Sequence, residues 1–255
     1  MSELYMRDVS EFKLFSTTIK NIVDNVKMEI NTDGLTCKVL DDSQGVFINI
    51  KFNYDYFEYI KLDEVKNEIL VVYADDLANV LKNITAEDTL RIMITGDSVD
   101  FLIDNEYGNR KLTITQLSKD YTISSPDDFT GETSFTMPFK VLKTVLAELS
   151  VFDNKYVKIS VDSDDGVKFC NGESNDLVKY ENHVYADFMG SATGVYSIDY
   201  LKLLNKFNTL AEEVDLEMNT NSPLKATVTS INTELSFLIA PYMIAKVLED
   251  SEEDY

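Results

Sequence analysis

Apolar residues recur at spacings of three and four from Phe12 onward. Phe12, Phe15, Ile19, Ile22 and Val26 share one face, which predicts an amphipathic helix over residues 10–26 with Ser10 as its N-cap. At Met28-Glu29-Ile30 the period changes to two. Thr32-Asp33-Gly34 reads as a turn, residues 35–39 alternate, Asp41-Asp42-Ser43-Gln44-Gly45 interrupts, and residues 46–52 alternate again. A strand over residues 69–72 precedes a second helix that turns Leu77, Val80, Leu81 and Ile84 inward. Residues 89–94, 98–103 and 110–115 predict three more strands.

The same order returns about 125 residues later, the spacing expected of a duplicated unit. A helix over residues 138–152 buries Leu142, Val145, Leu146 and Leu149, with Pro138 near its start. Strands follow over 156–161, 166–170 and 177–180. A fourth helix buries Leu201, Leu204 and Phe207, and strands over 214–218, 224–228 and 235–239 close the pattern. Between the halves, residues 116–133 carry Pro126, Gly131 and many small polar residues, the composition of a linker. The chain is therefore read as α+β, with domains at 1–117 and 135–248 joined by a linker at 118–134. Residues 249–255 form an acidic tail with almost nothing apolar to pack, and disorder is expected there.

Charge changes the picture. Forty-five acidic residues against 23 basic ones give a formal net charge of -22. That sum opposes general nucleic-acid binding, although a high-salt setting would screen the repulsion. Arginine occurs only at positions 7, 91 and 110, so the remaining positive charge is lysine, suited to unspecific phosphate attraction. No run of about 18 apolar residues predicts a spanning helix, and the acidic start does not read as a signal peptide. Cys37 and Cys170 stand in similar places in the two halves and read as buried small residues, not as a disulfide. His183 is the only histidine and has no metal-ligand cluster around it. The pairs Asp41-Asp42, Asp75-Asp76, Asp127-Asp128 and Asp164-Asp165 lie in turns or first helical positions, where solvation and capping account for them. No catalytic residue, metal or cofactor is expected, and a carboxylate-based hydrolase is the weakest of the readings weighed.

Several segments resemble sliding DNA clamps of the proliferating cell nuclear antigen type. Ile19-Lys20-Asn21-Ile22-Val23 resembles the pore-facing helix, and Asp33-Gly34-Leu35 through Leu40-Asp41-Asp42-Ser43 resembles the strand and central loop after it. Asp165-Gly166-Val167-Lys168-Phe169 is similar to the matching hairpin, and Tyr196-Ser197-Ile198-Asp199-Tyr200-Leu201 to the opening of the fourth helix. Ser222-Pro223-Leu224-Lys225 and Leu238-Ile239-Ala240-Pro241 resemble the C-terminal segments. The resemblance spans nearly the whole chain.

It implies a DNA-clamp fold: two similar domains, each with two helices packed on antiparallel sheets, assembling as a closed trimeric ring. Such a ring is not an enzyme. It encircles duplex DNA without sequence specificity and confers processivity by tethering DNA polymerase, flap endonuclease and DNA ligase. A clamp loader opens it. The alternative is a non-catalytic scaffold of the same fold, acting in checkpoint or transcription or as one subunit of a heterotrimeric ring. The implied pore residues are Lys13, Lys20, Lys82, Lys140, Lys143, Lys202 and Lys206. Asn79 and Ala147 stand where the family commonly has basic residues. The implied partner-peptide groove comprises Val39, Leu40, Gln44, Tyr121, Ile123, Pro223, Ala240 and Pro241. The implied subunit interface comprises Arg110, Lys111, Leu112 and Ile114 on one edge and Leu177, Val178 and Tyr180 on the other, with Arg110 and Lys111 facing Asp176 or Glu181. The compartment follows the source: cytoplasmic if archaeal or viral in an archaeal host, nuclear if eukaryotic.

Overall fold

The computed structural model describes residues 1–63, 66–123, 126, 129–152, 155–162, 166–171, 181–184 and 187–242, with backbone alone for 152, 171, 181–184 and 187–189. The chain divides into two units: residues 1–127 with 228–236, and residues 128–227 with 237–255.

The first unit holds β1 (Ser2–Met6), α1 (Ser10–Ile19), β2 (Asn25–Asn31), β3 (Gly34–Leu40), β4 (Val46–Asn53), β5 (Tyr59–Lys61), β6 (Glu68–Tyr73), α2 (Ala74–Leu81), β7 (Thr89–Thr95), β8 (Ser98–Asn105) and β9 (Gly108–Thr115). Its strands run antiparallel in the orders β5-β1-β7-β8-β9 and β4-β3-β2-β6. The second unit begins with β10 (Thr133–Pro138), α3 (Phe139–Leu149), β11 (Tyr156–Asp162), β12 (Gly166–Asn171), β13 (Glu181–Val184), β14 (Asp187–Met189) and β15 (Ala192–Ser197). It continues with α4 (Ile198–Leu204), β16 (Glu213–Met218), β17 (Leu224–Thr229) and β18 (Thr233–Ile239), the last two lending residues 228–236 to the first unit. The orders are β14-β10-β16-β17-β18 and β13-β12-β11-β15. Adding nine to each strand number of the first set reproduces the second, so the duplication seen in the sequence is a duplication of pairing.

Alternation of side chains decides what each sheet buries. On β1, Leu4 and Met6 are fully buried. On β2, Val26, Met28 and Ile30 point inward, and on β4, Val46, Ile48, Ile50 and Phe52 do the same. α1 lays Phe12 and Phe15 against Phe52 in edge-to-face contacts at 5.6 and 6.2 Å. Such pairs contribute about 0.5–1.5 kcal/mol each beyond area burial. In the second unit Phe207 meets Phe237 at 5.6 Å, and the buried Tyr196 hydroxyl donates to Ser222 O at 2.9 Å.

The helix over residues 10–26 is shorter than the spacing predicts. α1 stops at Ile19; Ile22 N–H donates to Ile19 O, and Val26 belongs to β2. Apolar residues at 19, 23 and 26 satisfy a helical spacing, but β-strand pairing with β6 claims Val26. Ser10 is the first helical residue rather than the cap, and its N–H donates to the Asp8 carboxylate at 2.8 Å. The expected linker is also shorter, because β10 begins at Thr133 and Gln116 is buried, donating to Ile69 O at 3.0 Å. β1, β5, β10, β14 and β15 were not expected from periodicity. The expected strand at 177–180 and the acidic tail lie outside the described residues. Gly34 is obligatory: at φ +140° a Cβ there would stand 2.0 Å from Phe52 O.

Candidate nucleic-acid interface and docking surface

Lysines mark one or more turns of every helix, but they are not equivalent. Lys13 sits in the middle of α1, and its ammonium donates to Ile84 O at 2.7 Å, beyond the end of α2. It thus ties α1 to the turn after α2, at one of the positions the resemblance assigns to the pore. The carbonyls at a helix end lack intrahelical partners, and this lysine satisfies one. Lys20 and Lys82 are the C-cap residues of α1 and α2, Lys202 lies in the last turn of α4, and Lys206 in the single 3₁₀ turn after it. A cation there also favours the helix dipole. Lys140 in the first turn of α3 and Lys143 just beyond it gain nothing from that dipole, and Lys140 opposes it by about 0.3–1 kcal/mol. Lys82, Lys140, Lys143, Lys202 and Lys206 are exposed and Lys20 half-buried. Among the described residues none of these six forms an ion pair. Asn79 and Ala147 are exposed as well.

The outer face of β2, β3 and β4 carries the second candidate surface. Leu40 is half-buried and stands opposite Phe47 across the β3–β4 pair. Phe47 is itself half-buried and was not anticipated, although its position two residues before Asn49 on an alternating strand puts it on that face. Val39 points the other way. It is 1% exposed, a core residue, so it cannot line a groove. The loop between these strands is a closed turn. The Asp41 carboxylate accepts from Val46 N at 2.7 Å and from the Ser43 hydroxyl, and Gln44 N–H donates to Asp41 O at 2.9 Å. Gln44 is exposed at the tip with φ 57°, a left-handed conformation unusual for a residue with a side chain. Ile123 lines a depression on the same face together with Lys27, Glu29, Thr36 and Lys38. Tyr121 is half-buried; burial first, then Asp42 and Asp24, raise its phenol above the ordinary range. Pro223 and Pro241, half-buried, and Ala240, exposed, belong to the second unit.

The third surface is an edge. β9 has a neighbour on one side, β8, and its residues are mostly exposed, Leu112 at 42%. Ile114 is half-buried. Its charges are already engaged. Arg110 donates to Asp88 at 2.8 Å and Lys111 pairs with Asp100 at 2.9 Å, both in the same unit. The expected pairing with Asp176 or Glu181 of a neighbouring copy falls on side chains outside the described residues. Asp88 is buried and accepts from Thr85 N at 2.7 Å, Thr85 Oγ1 at 2.9 Å, Asn105 Nδ2 at 2.7 Å and Arg110. These donors, the Thr85 amide foremost, hold its carboxyl down at about 2. Hydrogen bonds from Thr113 and Lys111 lower Asp100 likewise. β13 also has a neighbour on one side among the described residues. Leu177, Val178, Asp176 and Tyr180 lie outside them.

Comparison with known proteins agrees with this architecture. Residues 1–122 match the family described as proliferating cell nuclear antigen, N-terminal domain. A DNA polymerase sliding clamp of Methanothermobacter thermautotrophicus is 28% identical over 250 residues, covering 96% of this chain and 100% of that protein. One from Methanobrevibacter smithii is 25% identical, covering 94% and 98%. The crystal structure of the proliferating cellular nuclear antigen of Entamoeba histolytica superposes with a TM-score of 0.83 at 14% identity, covering 95% of this chain and 99% of that one. The PCNA2–PCNA3 complex of Sulfolobus tokodaii gives a TM-score of 0.82 at 18% identity, covering 94% and 98%. With a duplicated eleven-element unit, a matching N-terminal domain and relatives aligned from end to end, the chain is similar along its length to sliding clamps of the proliferating cell nuclear antigen type.

Proposed function

We propose that this protein is a DNA sliding clamp: copies close into a ring around duplex DNA and hold a replicative polymerase to its template. The observation that carries the reading is the set of unpaired helix lysines in both units of a chain whose net charge is -22. A clamp must hold phosphates without reading bases, and mobile ammonium groups do that. Lys140 and Lys143 support it most, since the helix does not profit from them.

Three copies pair edge to edge, β9 of one against the β13 region of the next. Uncovered strand edges invite such pairing, and closure satisfies them all. Leu112 and Ile114 are the apolar contacts on the β9 side. Partner enzymes, flap endonuclease and ligase among them, dock by short peptides on the face bearing Leu40, Phe47, Gln44 and Ile123, and a loader opens the ring. The clamp carries no reaction of its own. The test is primer extension by a cognate polymerase on a long circular template, with this protein and its loader added or omitted. Longer products with the clamp are expected. Product lengths unchanged by the clamp, with loading verified, overturn the reading. A mass of three 29.0 kDa chains by sedimentation separates a self-assembled ring from a subunit that needs different partners.

A further inference from the structure

The face proposed to dock partners carries a cluster of positive charge in a strongly acidic chain. Lys27 on β2 stands directly opposite Lys38 on β3. Lys38 pairs with Asn49 on β4, and Lys51, two residues further along β4, pairs with Thr36. Three lysines therefore adjoin one another on one sheet face. Like charges directly opposite across a strand pair destabilise it. Among the described residues the only carboxylate lining the same depression is Glu29, which pairs with Lys27 at 3.3 Å. Among the described residues Lys38 and Lys51 have no partner. A chain with 45 acidic and 23 basic residues could neutralise this cluster at almost any neighbouring position, and does not.

Asn49, opposite Lys38, adds a second observation. Its amide oxygen is buried and lacks a hydrogen-bond partner among the described residues. A group in that situation destabilises the fold unless something else supplies the bond. Beside the lysines lie the apolar side chains of Leu40, Phe47 and Ile123.

We infer that this face takes an extended peptide carrying apolar anchors followed by carboxylates, with Lys38 and Lys51 selecting the acidic residues. Two residues along a strand span about 7 Å, so an anchor over Leu40 and Phe47 places a carboxylate two positions on beside Lys38. A peptide also brings the N–H that Asn49 lacks. A nucleic-acid strand fits less well: three lysines beside the Glu29 carboxylate neutralise few phosphates. The inference rests on the docking role proposed above for this face.

The experiment titrates three labelled peptides against the full chain. They share one aliphatic and two aromatic anchors and differ only in flanking residues: glutamates, glutamines or lysines. The parent should bind the glutamate peptide about three- to tenfold more tightly than the glutamine peptide, as two exposed charge contacts allow, and the lysine peptide least. Lys38→Gln with Lys51→Gln should abolish that ranking. It should leave affinity for the glutamine peptide unchanged and keep or raise the melting temperature, since repulsion is relieved. Equal affinities, or tightest binding of the lysine peptide, overturn the charge selection. Tighter binding of a single-stranded oligonucleotide than of any peptide, lost in the double variant, overturns it in favour of nucleic acid. Glutamine-peptide affinity that survives both Leu40→Ala and Phe47→Ala overturns the docking role itself.

Discussion

Asp88 shows how one buried carboxylate fixes the strand edge proposed to join copies. It gathers the loop after α2, the end of β8 and the start of β9 through Thr85, Asn105 and Arg110. Replacing it with alanine leaves four donors facing a void and should cost about 2–3 kcal/mol, measured by urea denaturation. Its carboxyl is depressed from 3.8 to about 2 when folded. Its contribution is therefore complete above pH ~4 and is lost as pH falls through about 2. Acid titration of the parent and Asp88→Asn should converge below that range and diverge above it. Lys13 is the second residue-scale case. Lys13→Met should lower stability by roughly 1 kcal/mol by freeing Ile84 O, yet leave the salt slope of DNA binding unchanged. Lys143→Gln should do the reverse, reducing the slope by nearly one unit. Gln44 pays for its φ of 57° in backbone strain of about 1 kcal/mol, so Gln44→Gly should raise the melting temperature while weakening peptide docking.

At the scale of elements, the helices and the long strands were legible because their periods are unambiguous. Leu77, Val80 and Leu81 could only be helical, and residues 98–103 only a strand. What escaped notice was short or shared its text with a neighbour. β5 has three residues and β14 three, too few to show a period. β10 begins in what reads as linker, because Thr133 and Ser134 are turn-prone residues that pairing with β16 overrides. The Lys13 tie and the Asp88 cluster join residues 71 and 22 positions apart, and such contacts leave no local signature. Phe47, by contrast, was legible in principle, since it alternates with Val46 and Ile48. The β9 edge yields its own prediction. Leu112→Glu with Ile114→Glu should leave circular dichroism unchanged and convert the sedimenting species to a monomer, because the two carboxylates would have to be buried in the pairing.

At the scale of the molecule, a net charge of -22 and a DNA-binding role are reconciled by where the positive charge sits. A topological link does not depend on affinity. Rings loaded on closed circular duplex should therefore stay bound at salt concentrations that abolish binding to short linear fragments, and should slide free once the circle is cut.

The position of β1 has a further consequence, for synthesis. Leu4 and Met6 are fully buried, and their strand lies between β5 and β7. Its partner Leu90 is added some 84 residues after Met6, which at about 5–20 residues per second is a wait of roughly 4–17 seconds. Until β5 and then β7 have been made, the nascent chain presents an apolar strand without its neighbours. Translation speed through the first third of the message should therefore affect the yield of folded chain, measured as soluble protein from synonymous slow- and fast-codon messages.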